Sequence, residues 1–186
     1  MEIRNADPRR DAAACAAIYA PHVNGSPVSF EEAPPDGAEM AARIATIQAT
    51  HPWLVAEDGE EVVGFAYGVQ HRTRHAYRWS TDVSVYVGDG ARRAGVGRAL
   101  YVELLARLRD QGFQMAYAGI ALPNEASVDL HESFGFEPVD VYHRVGWKAG
   151  AWRDVGWWQL RIGPPDADST PPPEPMPPAE PAPRLP

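Results

Sequence analysis

The sequence predicts an α/β (α+β) domain built on a mixed, mostly antiparallel central sheet flanked by helices. Three observations carry this. Helical and strand signals alternate in the order strand, two helices, three strands, helix, strand, helix, two strands. Two apolar runs in WLVAEDGEEVVGFAYGV surround Asp58-Gly59, a tight antiparallel hairpin signal. Leu100, Leu104, Leu105 and Leu108 recur at helical spacing directly after the strand-like VSVYV.

Taken in order, Glu2–Arg4 is a short strand, and Asp7-Pro8 reads as an N-cap followed by proline at the first helical position, opening a helix to about Tyr19. PHVNGSPVSFEEAPPDG is a loop by its Pro, Gly and Asn content, and Ala38–Thr50 is a second helix. The Asp58-Gly59 hairpin follows, then Trp79–Val87, which alternates and is rich in β-branched residues. A leucine-striped helix runs from Val96 until Gly112 stops it. MAYAGIAL is a buried strand, and PNEASVDLHESFGF a helix capped by Asn124 and ended by Gly135. Two strands joined by a Gly- and Trp-containing loop complete a domain over residues 1–162.

From Gly163 the composition turns to Pro, Ala and acidic residues with almost nothing to bury, so residues 163–186 are expected to be a disordered tail of polyproline II character. The 186 residues otherwise fit one globular domain, and 45% hydrophobic content supplies a core. A net charge of -8 without a basic stripe argues against nucleic acid and membrane surfaces as partners. The single cysteine, Cys15, cannot form an intrachain disulfide, the amino terminus lacks a signal pattern, and no stretch has the roughly 18 apolar residues of a membrane span. A cytoplasmic protein is expected.

The stretch ARRAGVGRAL, between a strand and a helix, has the makings of an anion cradle: glycines admit unusual backbone, helix-start amides favour an anion, and Arg92, Arg93 and Arg98 add charge-assisted bonds. Gly97 is not followed by Lys, so it is not a P-loop, and the third glycine of the dinucleotide fingerprint is missing. Taken by itself, the motif equally fits a tight loop with solvated arginines.

In its context, R-x-x-G-x-G after a strand and before a striped helix resembles the acyl-CoA loop of the GNAT superfamily of N-acyltransferases, and NEASVDLHESFGF resembles that superfamily's second cofactor segment. The blocks HPWLVAEDGEEVVGFAY, RTRHAYRWSTDVSVYV, LPNEASVDLHESFGF and VGWKAGAWRDVGWWQL further resemble the phosphinothricin N-acetyltransferase family, in the same order. The resemblance spans Met1 to about Ile162. It implies a GNAT-type sheet splayed between the fourth and fifth strands, acetyl-CoA as cofactor, and transfer of acetyl to the α-amine of phosphinothricin-like compounds or methionine sulfone and sulfoximine.

The same resemblance assigns residues. Pantetheine would pair with backbone at Val85, Tyr86 and Val87, and the pyrophosphate would rest on Arg92, Arg93, Ala94, Gly95, Val96, Gly97, Arg98 and Ala99, with Asn124 and Ser127 beside the cofactor. A backbone amide near Val87 is the expected oxyanion donor. Asp82 stands where the family carries a glutamate base; it is one methylene shorter, which favours proton removal through a water. His131 stands where many GNAT enzymes have tyrosine, and imidazole serves equally as acid, base or anchor. Arg72, Arg74 and Tyr77 match the family's substrate block, with Phe30 as an apolar wall and Arg72 replacing a lysine. No metal is implied.

Four of the six tryptophans, Trp147, Trp152, Trp157 and Trp158, fall in the last folded segment; two are expected in the core and the others on a homodimer surface, which the family also implies. Acetylation of polyamines fits poorly with the Arg72/Arg74 block, and protein termini fit poorly with the long Phe30 loop. A non-catalytic acyl-CoA-binding module would lack use for the Asp82 and His131 pair.

Overall fold

The computed structural model describes residues 1–165 and 171–178. Seven strands form one sheet in the order β1-β2-β3-β4-β5-β7-β6: β1 (Glu2–Asn5), β2 (Trp53–Asp58), β3 (Glu61–Gln70), β4 (Ser80–Val87), β5 (Met115–Leu122), β6 (Glu137–Lys148) and β7 (Ala151–Arg161). Four helices flank it: α1 (Ala12–Asn24), α2 (Gly37–Gln48), α3 (Val96–Gln111) and α4 (Glu125–Glu132). Every neighbouring pair is antiparallel except β4–β5. Among the described residues no helix is long and apolar enough to cross a membrane.

The β4–β5 pair positions everything that follows. It is parallel, and only Ser80, Thr81 and Asp82 find partners, in Met115, Ala116 and Tyr117. Beyond that rung the strands part, leaving the facing backbone of residues 83–87 with no strand opposite it. This is the expected splay. Both strands have a second neighbour, β3 and β7 respectively, so the sheet survives its own opening.

Alternation along β4 loads two cores. Val83, Val85 and Val87 face α3, whose Leu100, Tyr101, Leu104 and Leu108 are wholly buried. Tyr86 faces the other way into α1 and α2 with Val23, Met40, Ile44, Trp53 and Phe65. Each fully buried large side chain contributes about 1.5–3 kcal/mol, so both layers are held chiefly by apolar burial. Gly95 before α3 and Gly112 after it both adopt the left-handed conformation, at φ +80° and +100°. The second ends the helix as expected.

Three expectations are corrected. α1 begins at Ala12, not at Pro8, because the Asp7 carboxylate is spent on the Arg9 amide in a turn, while Asp11 is taken by Arg4. It continues through Pro21 to Asn24, into the segment expected to be loop. The β6–β7 connection is only Ala149-Gly150, both at positive φ, so Trp147 and Trp152 are a cross-strand pair rather than loop residues.

The tail also departs from its expected freedom. Pro171–Pro178 lies against the domain: the Trp79 indole donates to the Pro173 carbonyl at 2.9 Å, Arg78 pairs with Glu174 at 2.7 Å, and Gln111 and Met176 exchange backbone and side-chain hydrogen bonds. A proline-rich segment has carbonyls to offer even where it has little to bury. The expectation for 166–170 and 179–186 lies outside the described residues.

Candidate active site

Two cavities meet at the fork between β4 and β5. The larger, about 450 Å³, lies on the α1–α2 side and is walled by Tyr19, Phe30, Tyr67, Asp82 and Trp157 among others. The smaller, about 70 Å³, runs between the parted strands to Asn124 just before α4, Ser127 and His131 of α4 and Tyr101 of α3. Val83, Ser84, Gly119 and Ala121 border both. A group in one cavity can therefore reach a group in the other only across the fork.

Asp82 occupies the last rung of the β4–β5 ladder, opposite Tyr117. Its Oδ1 lies 2.5 Å from Nδ1 of His71, just beyond β3. Burial pushes the Asp82 carboxyl above the usual carboxylate range, and the His71 hydrogen bond with the charges of His71 and Arg72 works against that rise. His71 was not singled out from the sequence; no spacing rule links it to Asp82 until β3 and β4 are paired.

The long loop after α1 forms the far wall. The Phe30 ring occupies the space over Gly146, where a Cβ would stand 2.2 Å from it. Lys148 donates to the Glu31 carbonyl, and Arg43 holds the Glu31 carboxylate in a bidentate pair at 2.7 and 2.8 Å. Tyr19 completes the clamp through Ser29 and Glu31. Arg72, Arg74 and Tyr77 stay on an exposed turn and do not line the cavity, although the Arg72 guanidinium sits 5.6 Å from the Trp157 ring centre and Tyr77 meets the His71 ring. The structure thus brings Phe30 and Asp82 together and leaves Arg74 apart from them.

In the smaller cavity Val85, Tyr86, Asn124 and Ser127 are lining residues, as is His131. His131 is buried, with Nδ1 2.6 Å from the Ser127 carbonyl, which places the proton on Nδ1. Nε2 then accepts from the Tyr101 hydroxyl at 2.9 Å. Burial holds this histidine below its ordinary value, against the opposing pull of the Ser127 carbonyl, so it is neutral at pH 7. Tyr101 is a second residue the sequence reading missed; it directly follows Leu100 in the leucine-striped helix. Asn124 is both a lining residue and the N-cap of α4, its side chain accepting from the Ser127 amide at 3.3 Å.

At the mouth of this slot, Val87 and Leu130 pack beside Gly97 at the start of α3. The first amides of that helix, from Val96 onward, have no carbonyl one turn earlier to bond, and Arg93 and Gly95 turn the chain with φ of 63° and 80°. Arg92 pairs with Asp89, and Arg98 lies over Phe134 with a 3.3 Å contact to Ser133. The turn offers an anion unpaired amides, two arginines in weak or surface-exposed contacts, and Arg93 on the strained bend.

A family model described as "Acetyltransferase (GNAT) domain" matches residues 3–157. Phosphinothricin N-acetyltransferase of Streptomyces viridochromogenes is 38% identical over 159 residues, covering 86% of each chain. The L-methionine sulfoximine/L-methionine sulfone acetyltransferase of Pseudomonas paraeruginosa is 36% identical over 150 residues, 80% of this chain and 87% of its own. A phosphinothricin acetyltransferase from Sinorhizobium meliloti, solved in complex with AcCoA, superposes with a TM-score of 0.83 at 35% identity, covering 87% of this chain and 88% of that one.

Proposed function

The chain belongs to the GNAT acetyltransferase family, and from that premise we propose that it is an acetyl-CoA-dependent N-acetyltransferase for the α-amine of a small acidic amino acid or analogue, such as phosphinothricin or methionine sulfone and sulfoximine. The observation that carries this reading is the placement of Asp82: a carboxylate in the larger cavity, at the rung where β4 and β5 part and the two cavities share a wall.

The residues present suit the cofactor. The slot is lined by the open facing edge of β4, which has no strand opposite it beyond Asp82 and can pair with the amides of pantetheine, and the turn into α3 sits at its mouth with unpaired amides and arginines for a pyrophosphate. Acetyl-CoA, when bound, supplies an activated acetyl thioester. A backbone amide near Val87 would serve as donor to the thioester oxygen, and donors aimed where charge develops are usually the largest catalytic contribution. Asp82 takes the proton of the incoming ammonium, directly or through one water, so that a neutral amine meets the acyl carbon in a ternary complex. The Tyr101–His131 pair lines the slot and would offer the leaving thiolate a hydrogen-bonding group there. Arg72 and Tyr77 stand beside Trp157 and His71, outside the cavity wall, where they would meet the acidic end of the substrate.

The catalytic unit of this reading is residues 1–162, acting as a homodimer in the cytoplasm. Exposed Val139, Tyr142, Val145, Trp147 and Trp152 on the β6–β7 hairpin supply an apolar surface for the second copy. The test is a thiol-release assay with acetyl-CoA against phosphinothricin, methionine sulfone, methionine sulfoximine, free amino acids and polyamines. Release with the first three supports the reading; no release with any amine overturns it.

A further inference from the structure

The Asp82 carboxylate is gripped by one oxygen only. Oδ1 is 2.5 Å from His71 Nδ1, and among the described residues Oδ2 has no hydrogen-bond partner. The ring that holds it is itself fixed. His71 stacks on Tyr117 with centroids 4.4 Å apart and 17° between planes, and meets Tyr77 and Trp157 edge-on at 6.0 and 6.1 Å. Tyr117 is the rung partner of Asp82, so the imidazole lies over the point where the strands separate. Its side chain is only 12% exposed.

An aspartate at this place has a short side chain, and a rotation about either of its two torsions would turn Oδ2 away from the cavity. It is also half-buried, where an unpaired carboxylate tends to hold its proton and cease to be a base. A donor on Oδ1 answers both problems at once. The charged and titratable groups around the pair are Arg72 and Tyr77 on the β3–β4 connection and Tyr117 on β5. Across the cavity stand Tyr67 and Tyr19, with Arg43, whose charge is engaged by Glu31. None of these others donates a hydrogen bond to Asp82.

We infer that His71 is a positioning residue for Asp82: it clamps Oδ1, leaves Oδ2 for the proton of the amine, and keeps the carboxylate ionised in its half-buried place. The inference rests on Asp82 being the base of the proposed reaction. The proton moves from the ammonium to Oδ2, the N–H electron pair stays on nitrogen, and His71 keeps its own Nδ1 proton throughout. It acts through Asp82 and not on the substrate.

Two variants separate this role from a packing role. His71→Phe keeps a ring to stack on Tyr117 and removes the donor; His71→Asn places an amide N–H near the Nδ1 position. For His71→Phe, the acid limb of kcat/KM should move to higher pH, with about tenfold more loss at pH 6 than at pH 9 and an unchanged KM for acetyl-CoA. His71→Asn should restore most of that loss. In the substrate-free protein, the Asp82 carboxyl carbon followed by NMR should titrate at higher pH in His71→Phe than in the parent. Circular dichroism checks folding, and His71→Leu replaces His71→Phe if the latter is misfolded. An unchanged carboxyl titration together with a loss equal at all pH values, or equal in both variants, overturns the inference. If the parent acetylates no amine, the functional reading fails, and the carboxyl titration still decides the role of His71.

Discussion

The Tyr101 hydroxyl donates to His131 Nε2 at 2.9 Å across the floor of the slot, joining α3 to α4 between residues that are both buried. With Nδ1 facing the Ser127 carbonyl, both nitrogens of the imidazole are engaged, so the ring is held in one tautomer and one orientation. Tyr101→Phe removes the donor and leaves Nε2 buried without a partner. The expected cost is about 1–3 kcal/mol in urea unfolding. At the proposed leaving-group end, kcat should fall by about tenfold or more, with little change in the KM of the amine. A variant with wild-type kcat would remove the pair from the chemistry.

Gly95 carries the turn into α3 at φ +80°, with no atom within 4 Å of where a Cβ would stand. Alanine there meets no clash, only backbone strain of about 1–2 kcal/mol. Because that strain falls on the bend that presents the α3 amides, Gly95→Ala should weaken coenzyme A binding about tenfold by titration calorimetry and leave the amine KM unaltered. Unaltered coenzyme A affinity would detach the turn from the cofactor.

The Phe30 ring rests where any side chain at position 146 would need to be. Gly146→Ala therefore pushes the ring off the larger cavity. The expected result is a rise of about tenfold in the amine KM at constant KM for acetyl-CoA, because Phe30 is on the wall of one cavity and not the other. Equal changes in both constants would place Phe30 outside amine recognition.

His51 is buried against Phe113, with its Nε2 unpartnered, and burial pulls its pKa down to about 4. A folded value below the unfolded one of about 6.5 means that the unfolded chain binds the extra proton first. The stability contribution is thus complete above about pH 6.5 and drains away as pH falls toward 4, by up to about 3 kcal/mol. Urea unfolding at pH 7.5 and pH 5 should show this loss, and His51→Phe should flatten it. A parent with equal stability at both pH values would contradict the neutral assignment.

The parts of the fold written in local chemistry were readable in the sequence. The β2–β3 turn falls on Gly59-Glu60, one residue on from the Asp58-Gly59 signal, with Gly59 at φ +65°; the leucine stripe faces the sheet, and Asn124 caps α4. What escaped was set by residues far apart in the chain. The Asp7-Pro8 start signal lost because Arg4 draws Asp11 at 2.6 Å while also pairing with Glu57, a network assembled from β1, α1 and β2. His71 and Asp82 are eleven residues apart, and Tyr101 and His131 thirty. Composition foresaw a tail with little to bury, but not that the Trp79 indole on the domain donates to the Pro173 carbonyl. The glycine bends and helix start around Gly95 were legible because backbone chemistry is local; the partners of Asp82 and His131 were not, because pairing is made by the fold.

The three-rung joint between β4 and β5 has a mechanical consequence. Four strands on one side and three on the other act as two plates sharing a narrow seam, with α3 and α4 bolted across it. A ligand lodged in the gap ties the plates together, so its binding energy enters the stability of the whole domain. At a free concentration one hundred times its dissociation constant, such a ligand adds about 2.7 kcal/mol to unfolding. A melting curve then doubles as a binding isotherm, and amides along the seam at Thr81 and Ala116 become strain gauges whose exchange slows as the gap fills.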